Sequence, residues 1–297
     1  MFDLRYHVAS LAAVFLALVI GILVGVGISS GGFIKKSERS LLTTQIGDLQ
    51  RRLDAATRRA DELAAQQEAA QTFIEDSYPA LMAERLSAKR VALVFVGSVD
   101  QRLRTLIERT LADAGAPASL RIRALKVPID MHAIDAIVGE RPGLAVQTAG
   151  LRPEQIGRQL AYEFVTGGET PLWDALAGQV VAERFGAGSE PADAVVVFRN
   201  VPPQGLATGR FLAGFYSELA NGDVPAVGVE TAGSQLTAVD AFTRAHLSTV
   251  DDLDTPAGKL ALAVLLAGGK RGHYGLKKSA ADGLLPPVPP VQLTTTP

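Results

Sequence analysis

The sequence predicts an α/β protein in three parts: an N-terminal transmembrane helix, a coiled-coil helix that continues from it, and a Rossmann-like α/β domain with a mainly parallel sheet. Three observations predict this. The run 8–28 carries no charged residue, and a helix needs about 20 apolar residues to cross the hydrocarbon core. From Ser37 to Ile74 apolar residues recur at heptad spacing and no proline interrupts them, as in a long helix with a single apolar seam. Beyond residue 90, continuous apolar runs alternate with helical patterns, which is how strands covered on both faces by helices read. The expected division is a membrane anchor at 1–34, a stalk at 35–77, an α/β domain at 78–284 and a disordered, proline-rich tail at 285–297.

The first element admits a second reading, a cleaved signal peptide. Arg5 would be its charged start, and small residues around Gly25, Gly27 and Ser29 would suit cleavage. Signal peptides have apolar regions of roughly 7–15 residues, shorter than this run, and a patterned helix follows it. A retained anchor is therefore expected. Its orientation is open. Arg5 lies on one side and Lys35, Lys36 and Arg39 on the other. Lys and Arg close to the segment ends favour the cytoplasmic side, which places the domain inside. Long domains, however, cross largely regardless of charge.

In the next element Leu42, Leu49, Ala56, Leu63 and Ala70 form one row. Ile46, Leu53, Ala60, Gln67 and Ile74 form the other, four residues on. These are the d and a rows of a parallel coiled coil, sustained beyond the three or four heptads that make such a pattern credible. Asp48 with Arg52, and Asp54 with Arg58, are acid-before-base pairs on an exposed helix face. Gly21 and Gly25 make a small-xxx-small face that lets two helices approach in lipid. Together the two features lead us to expect a parallel homodimer. The alternative is one amphipathic helix packed on its own domain.

Tyr78-Pro79 is read as the end of that helix, with a short helical stretch to about Ser87. The apolar run 91–96 is a strand, and 99–114 a helix closed by Gly115. A strand is assigned to 120–124 and helices to 153–165 and 172–185. The run 194–198 is a strand, 206–220 a helix ended by Asn221-Gly222, and 226–229 a strand. A helix with Pro256 in its first turn, where proline is favoured, runs to 267 and ends at Gly268-Gly269. Gly272-His273-Tyr274-Gly275 is read as a loop, and the residues after Leu285 as an extended tail.

Composition excludes several chemistries. Net charge is −2 and the isoelectric point near 6.1, without the basic face of a nucleic-acid binder. There is no cysteine, and methionine occurs only at Met1, Met82 and Met131. Soft Cu(I) ligands are thus scarce. The four histidines are His7, His132, His246 and His273. After the first strand Gly97 stands alone, so no dinucleotide fingerprint follows it. There is no Gly-x-Ser-x-Gly elbow. The acidic group Asp251, Asp252 and Asp254 has the chemistry of a hard-cation site. It is better explained by Asp254 or Thr255 capping the helix at Pro256. No catalytic, cofactor or metal residue is assigned, and the chain is expected not to be an enzyme.

Leu4-Arg5-Tyr6-His7-Val8-Ala9-Ser10-Leu11 and the residues to Leu18 resemble the amino terminus of the MctB-like copper transporter family of actinobacterial envelopes. The stretch from Ser248 to Gly258 resembles that family's later signature, and Gly272-His273-Tyr274-Gly275 its closing motif. The resemblance implies a single-pass anchor, a large domain on the outer side of the plasma membrane, and a part in copper export or homeostasis. It supplies no catalytic residues. A pore needs several membrane helices or a closed barrel, and one anchor is neither. His273, or His246 with the acidic group, is the only Cu(II) chemistry on offer, and that through a dimer. The alternative role is a non-enzymatic scaffold that recruits an envelope partner in cell-wall or division assembly.

Overall fold

The computed structural model of the chain describes residues 4–29, 36–141, 143–144, 150, 152–186 and 188–290. The chain divides into two compact units, Met1–Gln71 and Thr72–Pro297.

The first unit holds helix α1 (Leu4–Ser29) and most of α2 (Lys36–Met82). In α1, side chains are described from 10 to 26 and all are exposed, Leu11, Phe15 and Leu23 among them. Among the described residues no helix is long and apolar enough to cross a membrane, so the expected span at 8–28 is not met. The side chains described in that run, 10–26, cover fewer than the roughly 20 residues a span requires. Residues 1–3 and 30–34 of the expected anchor, and the Leu42 side chain, lie outside the described residues.

The coiled coil is not shown. Ile46, Leu49, Leu53 and Leu63 are 57–69% exposed, because a seam needs a second helix and the chain supplies one heptad helix. One of the two expected acid–base pairs is formed, with Arg52 Nε 2.9 Å from Asp48 Oδ2. Nor does α2 end at Tyr78. It runs through Pro79 to Met82, and Ala83 N–H still donates to the Pro79 carbonyl at 3.0 Å. Burial of Met82 and Leu86 outweighs the hydrogen bond that Pro79 removes from the last turns.

Among the described residues the second unit is built on seven strands: β1 (Val91–Val96), β2 (Arg121–Leu125), β3 (Val181–Gly186), β4 (Ala194–Arg199), β5 (Ala226–Val229), β6 (Ser248–Val250) and β7 (His273–Tyr274). Their order is β3-β2-β1-β4-β5-β6-β7. All pairs are parallel except β2 with β3. The mainly parallel α/β sheet is as the sequence predicts. The helices are α3 (Gln101–Asp113), α4 (Met131–Gly139), α5 (Pro153–Thr166), α6 (Pro171–Ala175), α7 (Leu206–Asn221), α8 (Val239–Arg244) and α9 (Pro256–Leu266). Each face of the sheet carries its own core. Val94, Val197, Phe164, Phe211 and Phe242 belong to the face of α4 to α8. Leu93, Phe95, Ile107, Leu111 and Leu262 belong to the face of α3 and α9.

Other expectations are corrected here. Residues 172–185 do not form one helix. After α6 the chain turns at Gly178, where φ is +85°, and Val181–Gly186 pairs antiparallel with β2. Val180 and Val181, both buried, suit a strand better than a helix. Helices α4 and α8 and strand β6 are absent from the sequence reading. Gly272 to Gly275 is no free loop, since His273 and Tyr274 pair with Thr249 and Val250 as edge strand β7. The tail is not free at its start. Leu285 and Val288 pack on the α3/α9 core, and Arg85 Nη1 donates to the Pro289 carbonyl at 3.0 Å. Residues 291–297 lie outside the described residues.

Candidate functional site

In a doubly wound sheet the ligand crevice lies where strand order reverses, at the carboxyl ends of the strands. Here that point is between β1 and β4. The two loops are stapled together. Gly97 has φ +106°, and a β-carbon on it would run into Asn200 and Val201. Asn200 Nδ2 donates to the Ser98 carbonyl at 3.2 Å. Asp100 caps α3 by accepting from the amides of Arg102 and Leu103. The loops therefore meet each other across the switch point.

The open space lies beside it, on the α5/α7/α8 side. A cleft of about 830 Å³ is bounded by the start of α5, the β4–α7 loop, the face of α7 and the start of α8. Four arginines line it, Arg158, Arg199, Arg210 and Arg244, against two carboxylates, Glu154 and Asp240. Arg199 closes β4 and is 6% exposed. Its guanidinium ties down the loop by donating to the carbonyls of Val201 (3.1 Å) and Pro202 (2.8 Å). Arg244 Nε donates to the Asp240 carbonyl at 3.0 Å. Arg210 stands 3.7 Å from Glu154. Tyr216 also lines the cleft, 1% exposed, and its hydroxyl has no hydrogen-bond partner. Burial pushes its pKa up from the ordinary phenol value, and the nearby Arg199 guanidinium opposes that rise.

At the carboxyl ends of β5, β6 and β7 sits the acidic group singled out from sequence. The structure brings Asp251, Asp252 and Asp254 together with Glu230, and each is engaged. Asp251 Oδ1 accepts from the amides of Leu276 (2.9 Å) and Lys277 (3.2 Å), and its Oδ2 from the Ser279 hydroxyl (3.0 Å). Asp252 accepts from the Thr255 hydroxyl at 2.8 Å. Asp254 accepts from the Ala232 amide at 2.7 Å. Glu230 accepts from Thr237 at 3.0 Å and from the Ala238 amide, and pairs with Lys277 Nζ at 2.9 Å. These carboxylates fix loops. Glu230 in particular holds Thr237 and the start of α8, which form one wall of the cleft. The cap of α9 is Thr255, whose hydroxyl accepts from the Gly258 amide, one of the two residues expected there. His273 Nδ1 lies 3.0 Å from Thr249 Oγ1, and His246 is exposed in the turn after α8. Among the described residues no three His, Asp or Glu side chains are placed to hold a metal ion.

Residues 1–286 match the family described as "Copper transport outer membrane protein, MctB". The chain belongs to the MctB family. It is similar to proteins named Copper transporter MctB from Mycobacterium bovis and from two strains of Mycobacterium tuberculosis. Each is 25% identical over 323 residues, covering 93% of this chain and 96% of the relative. The match spans both units of this MctB-family chain and so includes the cleft and the carboxylate group.

The arginine cleft is absent from the sequence reading. Its lining is drawn from positions between 154 and 245, with no local motif to connect them. The one available signal is Arg199. It is a charged residue directly following a continuous apolar strand, the position where α/β sheets place ligand contacts.

Proposed function

We propose that this chain acts in copper homeostasis at the cell envelope as a membrane-anchored, parallel homodimer, working through binding and neither as an enzyme nor as a pore. The observation that carries the copper link is the family match along residues 1–286, together with relatives whose name is Copper transporter MctB. Anchoring is supported by α1, whose described side chains are apolar on every side, Ser10 excepted, and exposed. A helix apolar all round is stable only when something apolar surrounds it. Dimerisation is supported by the unpartnered row Ile46, Leu49, Leu53 and Leu63. An indirect role for copper is supported by the lack of soft ligands. There is no cysteine, and Met82 is buried in the core.

The test is made in the source organism and on the purified full chain. Deleting the gene is expected to lower growth in added copper, and a copy lacking residues 1–34 is expected not to restore it. Calorimetry is expected to show no Cu(I) or Cu(II) binding tighter than about micromolar, the level of one or two imperfect ligands. Unchanged copper tolerance in the deletion strain would remove the copper link. Sub-micromolar binding would make the role direct.

A further inference from the structure

We propose that the arginine-lined cleft between α5, α7 and α8 binds an anionic amphiphile, a phosphate monoester carried on an apolar chain. Four features point to this class. The first is size: about 830 Å³ lies within the roughly 300–1,000 Å³ of small-molecule sites. The second is charge. Arg158, Arg199, Arg210 and Arg244 exceed Glu154 and Asp240 in number, and Arg199 is already buried. Arginine's planar fork suits phosphate oxygens.

The third feature is the orphaned Tyr216 hydroxyl. A buried hydroxyl without a partner is costly, and the Tyr216 side chain lines the cleft with its hydroxyl sealed just beneath the surface, beside Arg199. Helix α7 adds to this. It begins at Gly205, which lines the cleft and supplies no side-chain cap, and a helix N-terminus favours a negative group. The fourth is the remaining wall, made of Pro203, Leu206, Leu212, Ala213, Ala241 and Ala245. An inorganic ion would leave these apolar surfaces in water, whereas an alkyl chain covers them. Leu206 is 85% exposed at the cleft mouth, where such a chain would enter.

The experiment uses the full-length protein in maltoside detergent with a detergent blank, titrated by calorimetry with four probes: hexyl phosphate, inorganic phosphate, hexanol and hexyltrimethylammonium. Hexyl phosphate is expected to bind saturably at one site per chain. Inorganic phosphate is expected to bind at least about tenfold more weakly, in proportion to the apolar area it cannot bury. Hexanol and the cation are expected not to bind. Equal affinity for inorganic phosphate overturns the amphiphile class, and no heat with hexyl phosphate overturns the site. Tyr216→Phe removes only a hydroxyl, and Arg158→Gln removes a positive charge and shortens the side chain while keeping it polar. Each is expected to weaken hexyl phosphate about tenfold, the worth of a hydrogen bond to a charged group. Near-ultraviolet circular dichroism confirms that each variant is folded. If both folded variants bind as tightly as the parent, the proposal fails. It does not depend on the copper reading, since none of these readouts involves copper.

Discussion

Two aspartates in this domain respond to acid in opposite ways. Asp193 precedes β4 and accepts from Arg90 three times, through Nε at 2.8 Å, Nη2 at 3.0 Å and the backbone amide at 2.9 Å. The Arg90 side chain is the main reason its carboxyl is held at about 2, below the ordinary 3.8. The unfolded chain therefore takes up the proton first as pH falls. The stability Asp193 contributes is complete above 3.8 and lost as pH drops through 2. Asp193→Asn cannot ionise, so thermal melts of variant and parent should differ most near neutrality and converge as pH falls through that window. Asp252 is the reverse case. It is fully buried, its Oδ1 has no partner, and desolvation raises its pKa while the Thr255 hydroxyl opposes the rise. The native state then holds its proton more tightly than the unfolded chain, and stability falls as pH rises through the carboxylate range. Asp252→Asn lacks that loss. Its melting temperature relative to the parent should climb as pH rises above the ordinary aspartate value of 3.8, and a flat difference would show that Asp252 ionises as freely as a surface carboxylate.

At the scale of elements, the contact that shapes the cleft is the crossing of α5 and α7. A β-carbon on Gly157 would run into the Phe211 carbonyl oxygen, and one on Gly214 into the Glu154 carbonyl oxygen. Backbone touches backbone at both points, so no flexible side chain can move aside. Overpacking typically costs 1–3 kcal/mol, and Gly157→Ala or Gly214→Ala should each reach the upper end, about 3 kcal/mol by chemical denaturation. Both act on one crossing. Once the helices separate for the first methyl the second finds space, and the double variant should cost less than the two together. None of this was legible beforehand. Glycines inside predicted helices read only as mild penalties. What the sequence did reveal is explained by coverage. Val91–Val96 and the first five residues of β4, 194–198, are buried on both faces, which leaves an unbroken apolar run in each. Helix α9 was visible through Pro256 and Gly268. The residues 172–185 misled because the edge strand Val181–Gly186 contains Glu183 and Arg184, which break the apolar run that marks a covered strand. Strand β6, at three residues, and β7, at two, are too short for any period to register. The arginine cleft was hidden for a further reason, since it depends on which helices lie side by side, and α8 was not recognised at all.

For the whole molecule, the open question is what covers the apolar row of α2. Leu49, Leu53 and Leu63 are about two-thirds exposed, and leaving large aliphatic side chains in water forgoes roughly 1.5–3 kcal/mol each. The heptad step fixes the geometry of the proposed answer. In a parallel, in-register pair each a residue meets its own copy, whereas in an antiparallel pair identical positions lie at opposite ends. The absence of any cysteine in the chain makes this directly measurable, because a single introduced thiol has no competitor. Leu53→Cys lies on the a row, and disulfide closure requires β-carbons within about 3.5–4.5 Å, which an a–a′ pair approaches. Arg58→Cys, five residues on, points away from the seam in the same register. Under mild oxidation the first variant should run as a covalent dimer on a non-reducing gel and the second as a monomer. Equal cross-linking of both would indicate random collision, and a monomeric Leu53→Cys chain would leave the parallel pairing without support.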